Sequence, residues 1–425
     1  MFEHIKPGPP DPMFDLKRDS DNDHSSEKVD LGVGIYRNES GLYQELEVVK
    51  LAKKELDRQN LGHDYGPTMG DPEFLKFAAS VMFGDRCEAL ASGKISSVQT
   101  ISGTGANALG ALLISKAMSP NRKVYISTPT WGNHFDIFHN VDMETVSYPY
   151  LDSSKHAVNF DALLEAVRTA PQGSVFILQG CCHNPSGVDL SVQQWQELAT
   201  EIKSHGQLPF FDTAYQGLGD GFDEDAAGVR IFVEAGLEML VCQSFSKNFA
   251  LYGERCGALH VVADSTEVAA NVKDRLRSLI RYTYSSSPAY GSRLVKIVLS
   301  NCELRNAWTL ELEGMRERLK RNRQALYSEL TNVLKVSESK KSNFIESNLI
   351  AARHQAIGRI LPRKGDYSRK CLALSPAQCK TLVTKYHIHL PGSGRINVAG
   401  LSENNVCRAA KAIDEVIRQT VQEKL

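Results

Sequence analysis

Lys247 stands in the run Q-S-F-S-K-N-F-A-L-Y-G-E-R-C-G, residues 243–257, directly after the apolar stretch M-L-V-C. A surface lysine needs no such setting. A lysine amine that acts as nucleophile or base does, because lost hydration and neighbouring cations favour its neutral form. Arg255, eight residues on, supplies such a cation and could hold a phosphate. Asp212 ends the apolar run L-P-F-F-D; a carboxylate there either partners a cation, such as a protonated heterocycle nitrogen, or N-caps the following helix. Tyr215, three residues later, could bring a phenol to the same ligand.

Further candidates lie after other apolar runs. In C-C-H-N-P-S-G (181–187), Asn-Pro opens a turn and Gly closes it; the Asn184 amide either faces a ligand or serves the turn. I-S-G-T-G-A-N-A-L-G-A-L-L-I-S-K (101–116) is a Gly-rich turn entering a helix with Leu109, Leu112 and Leu113 on one face. Its free N–H groups around Gly103, with the Ser102 and Thr104 hydroxyls, suit a phosphate, although a plain helix start reads the same. The stretch lacks the Walker lysine and the G-x-G-x-x-G spacing, which argues against a nucleotide. Trp131, in P-T-W-G-N-H (129–134), either stacks on a flat ligand or packs in the core. His134 either makes structural hydrogen bonds or orients Asp212 from behind. Arg281 and Arg395 carry the planar fork that captures carboxylates, and each taken alone also reads as a surface arginine. A reactive lysine, an acid for a pyridinium, a phosphate cup and a stacking aromatic together describe a pyridoxal 5′-phosphate site.

Such groups need a scaffold that brings them to one edge. The apolar runs 123–127, 174–178, 208–212, 239–243 and 257–262 alternate with segments of helical period such as Q-Q-W-Q-E-L-A-T-E-I-K-S (193–204). Continuous apolar strands with helices between them predict an α/β fold with a mostly parallel sheet covered on both faces. Ligands of such sheets gather at the carboxyl ends of the strands, where the candidates above fall. The first thirty residues, rich in Pro, Asp and Ser, read as an extended arm. From about 310 a long charged amphipathic helix leads into a smaller α/β unit ending in A-A-K-A-I-D-E-V-I-R-Q-T-V. The expected division is 1–30 as the arm, 31–48 with 315–425 as the small domain, and 49–314 as the large one.

Composition excludes several classes. The 425 residues hold 49 Lys+Arg against 50 Asp+Glu, so no charge excess calls for nucleic acid or an anionic membrane. No apolar run reaches the length of a membrane span, and the N-terminus carries neither a signal-peptide core nor a transit-peptide pattern. Nine scattered cysteines without a C-x-x-C pair read as free thiols of a reducing compartment, so the expected location is the cytoplasm.

The motifs V-D-L-G-V-G-I-Y-R, H-D-Y-G-P, Q-T-I-S-G-T-G-A, P-T-W-G-N-H, C-H-N-P-S-G, F-F-D-T-A-Y-Q-G, Q-S-F-S-K-N-F-A-L-Y-G-E-R and G-R-I-N-V-A-G-L, in this order, resemble the aspartate aminotransferases of the cytosolic animal type, as a divergent paralogue. The resemblance covers nearly the whole chain and implies fold-type I, a large pyridoxal-phosphate domain and a smaller α/β domain. It implies Lys247 as Schiff-base lysine and general base, Asp212 at the pyridine nitrogen with His134 behind it, Tyr215 and Asn184 at the phenolic oxygen, and Trp131 stacked on the ring. Ser102, Gly103, Thr104, Ser244 and Arg255 match the phosphate cup. Tyr65 matches a tyrosine reaching the neighbouring subunit's phosphate, which implies a homodimer with shared sites. Arg395 is similar to the receptor of the substrate α-carboxylate, Arg281 to that of the side-chain carboxylate, and Gly34 to the loop over the substrate. The implied reaction exchanges amino groups between L-aspartate or L-glutamate and 2-oxoglutarate or oxaloacetate.

The departures keep two alternatives open: an aspartate racemase and a cofactor-binding dimer without useful turnover. The family's S-N-P-P is S-S-S-P here (Ser285–Pro288), which predicts a looser aim for Arg281. Gln179 replaces a histidine beneath Asn184, and Gly253 replaces an asparagine. K-G-D-Y-S-R-K-C (364–371) stands where the family's Gly-Met-Phe cover is expected, after a segment, 336–370, with eight Lys/Arg and three Asp/Glu. That segment is roughly twenty residues longer than the resemblance predicts, as a surface insertion would be.

Overall fold

Each of the five continuous apolar runs forms a strand in the computed structural model. The structure describes residues 2–8, 10–119, 121–152, 157–330, 357–359 and 374–422. One sheet contains seven strands: β1 Ile95–Ile101, β2 Val124–Thr128, β3 Thr145–Pro149, β4 Val175–Gln179, β5 Leu208–Thr213, β6 Met239–Ser244 and β7 Cys256–Val262, in the order β1-β7-β6-β5-β4-β2-β3. The pairs β3–β2, β2–β4, β4–β5 and β5–β6 are parallel, whereas β7 runs antiparallel to both β6 and β1. The expectation of a mostly parallel sheet therefore holds with one reversed strand, and that reversal positions part of the site.

Adjacent side chains of the central strands enter different cores. Phe210 and Leu240 join Val98, Ile126, Phe138 and Leu276 in one apolar cluster. Phe211 and Val241 join Phe176, Trp195, Phe232 and Met239 in the other. This double burial is why these strands read as unbroken apolar runs. Helix Val192–Ser204 shows how the cover is built. Ser191 and Gln194 close a capping box at its start, and Trp195, Leu198, Ala199 and Ile202 form its buried stripe. Helix Ser102–Leu113 lies against the opposite core, where a Cβ on Gly110 would come within 2.7 Å of the Phe210 ring. Only a residue without a side chain permits this approach.

The described residues divide into two compact units, one of 44–320 and one of 2–43 with 321–330, 357–359 and 374–422. In the second, Val29–Asp30 pairs in parallel with Ile388–His389, and Arg395–Asn397 pairs antiparallel with Ile357–Arg359. Residues 12–22, expected to be extended, are helical instead: Pro12 opens helix Pro12–Asn22, and the Asp11 side chain accepts from the Phe14 N–H at 3.2 Å. A Pro at the first helical position behind an Asp cap is a start signal that composition alone hides. No described helix is long and apolar enough to cross a membrane.

Candidate active site

The predicted residues of the larger unit, Tyr65 and Arg281 apart, converge because the carboxyl ends of four parallel strands align. Gln179 at the end of β4 is in register with Asp212 on β5, and Asp212 with Cys242 on β6. The chain beyond β2 carries Trp131 and His134, that beyond β4 carries Asn184, and that beyond β5 carries Tyr215. Lys247 lies in the turn that follows β6. Since β7 is antiparallel, its first residue, Cys256, pairs with the last of β1, Ile101. Arg255, just ahead of β7, thereby meets Ser102, just after β1.

Asp212 is buried, and its Oδ2 lies 3.0 Å from His134 Nε2. Its carboxylate caps no helix; the next one, Phe222–Asp225, starts after Gly221. His134 is fully buried, its Nδ1 lies 2.8 Å from Thr130 Oγ1, and Trp131 packs edge-on against its ring at 5.2 Å. Trp131 is itself only partly buried, so it lines the site rather than fills the core. Partly buried Lys247 places its Nζ 5.8 Å from the Tyr215 ring centre and 5.7 Å from that of Tyr252.

The loop with Asn184 is held from several sides. The Asp189 carboxylate accepts from the Cys182 and His183 N–H groups at 2.6 and 2.7 Å. His183 stacks on Tyr150 at 3.8 Å and bonds Ser127 and Ser186. Burial, with the nearby His134, pushes the His183 pKa down to about 3, so its ring is neutral. Asn184 is buried, and its side-chain oxygen has no hydrogen-bond partner among the described residues. A ligand completes such a group.

Three hydroxyls and a guanidinium meet at the β1–β7 corner. Ser102 Oγ lies 3.2 Å from Ser244 Oγ and 2.6 Å from Ser246 Oγ, and Arg255 Nη1 donates to Ser246 Oγ at 3.2 Å. Burial pulls the Arg255 pKa below the ordinary guanidinium value. Two glycines keep this corner open. A Cβ on Gly103 would stand 2.9 Å from Ser244 Cβ, and one on Gly257 2.5 Å from the Ser102 carbonyl carbon. Thr104 is exposed on the same helix turn. Ser246, Gly257 and Thr130 escaped the sequence reading. Ser246 had a signal, since it immediately precedes Lys247, whereas Gly257 and Thr130 are chosen by strand pairing and packing.

This donor set fits pyridoxal 5′-phosphate: a cation with hydroxyls for a phosphate dianion, a buried carboxylate for a ring N–H, a buried amide with an open valence, and an amine within the same group. A cleft of about 1040 Å³ lined by Lys94, Arg230, Glu238, Asp264, Arg305 and Trp308 lies elsewhere, at the amino end of β6.

Arg281 is exposed in the last turn of helix Thr266–Thr283, and its Nη1 donates to Ser285 Oγ at 2.6 Å. The S-S-S-P stretch is pinned rather than loosened: Ser287 Oγ donates to the Gln99 carbonyl at 3.0 Å, and Gln99 Nε2 to the Pro288 carbonyl at 2.8 Å. Gly253 has open space around its Cβ position, and the adjacent Tyr252 carbonyl accepts from Arg255 Nη1. Tyr65 is 89% exposed. Gly34 and Arg395 belong to the smaller unit, which draws them together. Asn397, two residues past Arg395, donates through Nδ2 to the Val33 and Ile35 carbonyls on either side of Gly34. The strand beside Arg395–Asn397 is Ile357–Arg359, with Arg359 opposite Arg395, whereas 364–371 lies outside the described residues.

The chain matches the family model "Aminotransferase class I and II" over residues 26–413. It is 39% identical over 423 residues to aminotransferase tasG of Hapsidospora irregularis, covering 99% of this chain and 98% of that protein. Its structure is similar to the cytoplasmic aspartate aminotransferase of Saccharomyces cerevisiae, with TM-score 0.90, 34% identity and 98% of each chain covered. It is also similar to an aromatic-amino-acid aminotransferase of Burkholderia pseudomallei covalently bound to pyridoxal phosphate, with TM-score 0.89, 35% identity, and 98% and 99% of the two chains covered. With a family match over most of its length and the donor set that a pyridoxal-phosphate enzyme needs at the carboxyl end of its sheet, the chain belongs to the class I and II aminotransferases.

Proposed function

We propose that this enzyme moves the amino group between L-aspartate or L-glutamate and 2-oxoglutarate or oxaloacetate. The observation that carries the reading is the gathering of Lys247, Asp212, Tyr215, Asn184 and the Ser102–Ser244–Arg255 corner at one end of one sheet. When bound, pyridoxal phosphate supplies an electron sink for a carbanion and a carrier for the amino group. Ser102, Gly103, Thr104, Ser244 and Arg255 hold its phosphate, and Trp131 covers its ring. Asp212 keeps the ring nitrogen protonated by offering a carboxylate to its N–H. Tyr215 and Asn184 bind the phenolic oxygen. Lys247 would anchor the cofactor and, once displaced, its Nζ would take the proton from the substrate α-carbon and hold it for return. Arg395 receives the α-carboxylate and Arg281 the distal one, with Gly34 above the substrate. Two arginines for two carboxylates favour four- and five-carbon dicarboxylates.

In this reading the active form is a homodimer. Exposed Tyr65 reaches the phosphate of the partner site, and Arg281 serves the partner's substrate, which accounts for their outward placement in the single chain. The cytoplasm is the proposed location, in keeping with eight free cysteines among the described residues.

The test is a half-reaction. Protein loaded with pyridoxal phosphate is mixed with L-aspartate and no oxo acid. The expected result is loss of the visible band and release of oxaloacetate stoichiometric with protein. Formation of D-aspartate alone, or a visible band indifferent to aspartate and glutamate, would overturn the reading.

A further inference from the structure

Gln179, the last residue of β4, is buried and makes three hydrogen bonds through its side chain. Its Oε1 accepts from the Asn184 backbone N–H at 2.7 Å. Its Nε2 donates to the Asn184 backbone carbonyl at 3.1 Å and to Thr130 Oγ1 at 3.3 Å. The orientation of the amide follows from chemistry. A peptide N–H can only donate and a carbonyl can only accept, so a flipped amide would lose both bonds. Gln179 therefore reaches Thr130 as a donor. The Thr130 hydroxyl proton has one acceptor among the described residues, His134 Nδ1 at 2.8 Å. A ring nitrogen that accepts carries no proton, so a neutral His134 bears its proton on Nε2, facing Asp212 Oδ2 at 3.0 Å. The bonds run in one direction, from Gln179 through Thr130 and His134 to Asp212.

We propose that Gln179 is a positioning residue that sets the direction of this relay while clamping the peptide of Asn184, so that one neutral amide orients the groups at two edges of the cofactor ring. This rests on the reading of Asp212 and Asn184 as cofactor contacts. The relay presents an N–H to Asp212 and leaves the carboxylate an acceptor whose other oxygen can take the ring N–H. The reverse tautomer would set a nitrogen lone pair against a carboxylate. An amide has no proton to lose in the working pH range, so Gln179 presents the same donor to Thr130 when pH changes. An imidazole, which resemblance to the family would place at this position, can present either a proton or a lone pair to Thr130.

The test is nitrogen NMR of the full-length protein labelled at histidine, with pyridoxal phosphate and after its removal. His134 is assigned from the signals lost in His134→Gln. In the wild type we expect the neutral ring to carry its proton on Nε2 and to leave Nδ1 bare, in both forms. Gln179→Met should change the His134 nitrogen signals. It should also weaken pyridoxal phosphate binding about three- to tenfold, the effect of one or two hydrogen bonds, and shift the pH midpoint of the visible absorbance by roughly half a unit or more. A neutral ring with its proton on Nδ1 in the wild type overturns the proposal, as do unchanged His134 signals and an unchanged absorbance profile in Gln179→Met. If that variant does not fold, Thr130→Val removes only the hydroxyl between the two groups, and an unaltered His134 there overturns the proposal equally. The cofactor-free spectra keep this test separate from the cofactor reading, which would fail on its own if the wild type bound no pyridoxal phosphate.

Discussion

Lys247 and Arg255 are basic residues in neighbouring turns with different duties, and substitution separates them. Arg255 sits in the left-handed region, with φ 51°, and its guanidinium bonds Ser246 Oγ and the Tyr252 carbonyl. Its charge is aimed at the hydroxyl corner. Arg255→Ala is expected to weaken pyridoxal phosphate about 10- to 100-fold, as the loss of charge-assisted bonds implies, with the loss read by equilibrium dialysis. Lys247→Ala is expected to retain the phosphate grip and to lower kcat by at least about 10²- to 10⁴-fold, the usual cost of removing a general base. Turnover near the wild-type level in Lys247→Ala would remove that residue from the chemistry. The sequence marked Lys247 because it follows an apolar run, and Arg255 as a cation eight residues on that could hold a phosphate. It did not mark Thr130 or Gly257, whose parts come from strand ends that meet only in the folded chain.

Among the elements, the turn after β5 shows how a short segment is fixed behind the site. The Asp225 carboxylate accepts from the N–H groups of Gly217, Gly219 and Asp220 at 2.8, 2.9 and 2.9 Å. Burial pushes its pKa up to about 6, against the opposing pull of those three bonds. The folded chain thus holds this proton more tightly than the unfolded chain, whose aspartate titrates near the ordinary value of about 3.9. The stabilising contribution is complete below the unfolded pKa and is lost as pH rises through about 6. Asp225→Asn leaves at least one N–H without an acceptor, at a cost of about 1–3 kcal/mol. The stability gap between wild type and variant should therefore be wider at pH 4 than at pH 7, measured by urea unfolding. An equal gap at both values would show that the carboxyl group is not raised. Strand recognition has a similar physical basis. The five inner runs were legible because both faces are buried. The outer strands gave no continuous run: I-S-S-V-Q-T-I buries Ser96, Gln99 and Thr100 in polar contacts, and T-V-S-Y-P turns Ser147 to water.

For the whole molecule, the proposed dimer makes a prediction that a single-chain site does not. Lys247→Ala and Arg281→Ala homodimers should each be nearly inactive toward aspartate. When the two are unfolded, mixed and refolded together, half of the dimers carry one chain of each kind. If Arg281 serves the partner's site, one of the two sites in such a mixed dimer keeps both residues, and activity recovers to about a quarter of the wild type. No recovery, with mixed dimers verified by differential tags, would place Arg281 at its own chain's site or at none.

By itself the sequence determined the inner strands of the sheet, the family, and which residue types could serve a pyridine nitrogen, a phosphate and an α-proton. Those features are local: an apolar run, a turn, and a charged residue placed directly after it. Tertiary structure decided what depends on pairing. The reversed strand β7 carries Arg255 to Ser102 across more than 150 residues of sequence. The register of β4 with β5 puts Gln179 beside Asp212 and so makes an orienting group of a replaced histidine. The S-S-S-P stretch is firm because Gln99, far away in sequence, bonds its last two residues, Ser287 and Pro288. No composition or periodicity encodes such contacts, because each comes from a hydrogen bond between segments that only the packed sheet brings together.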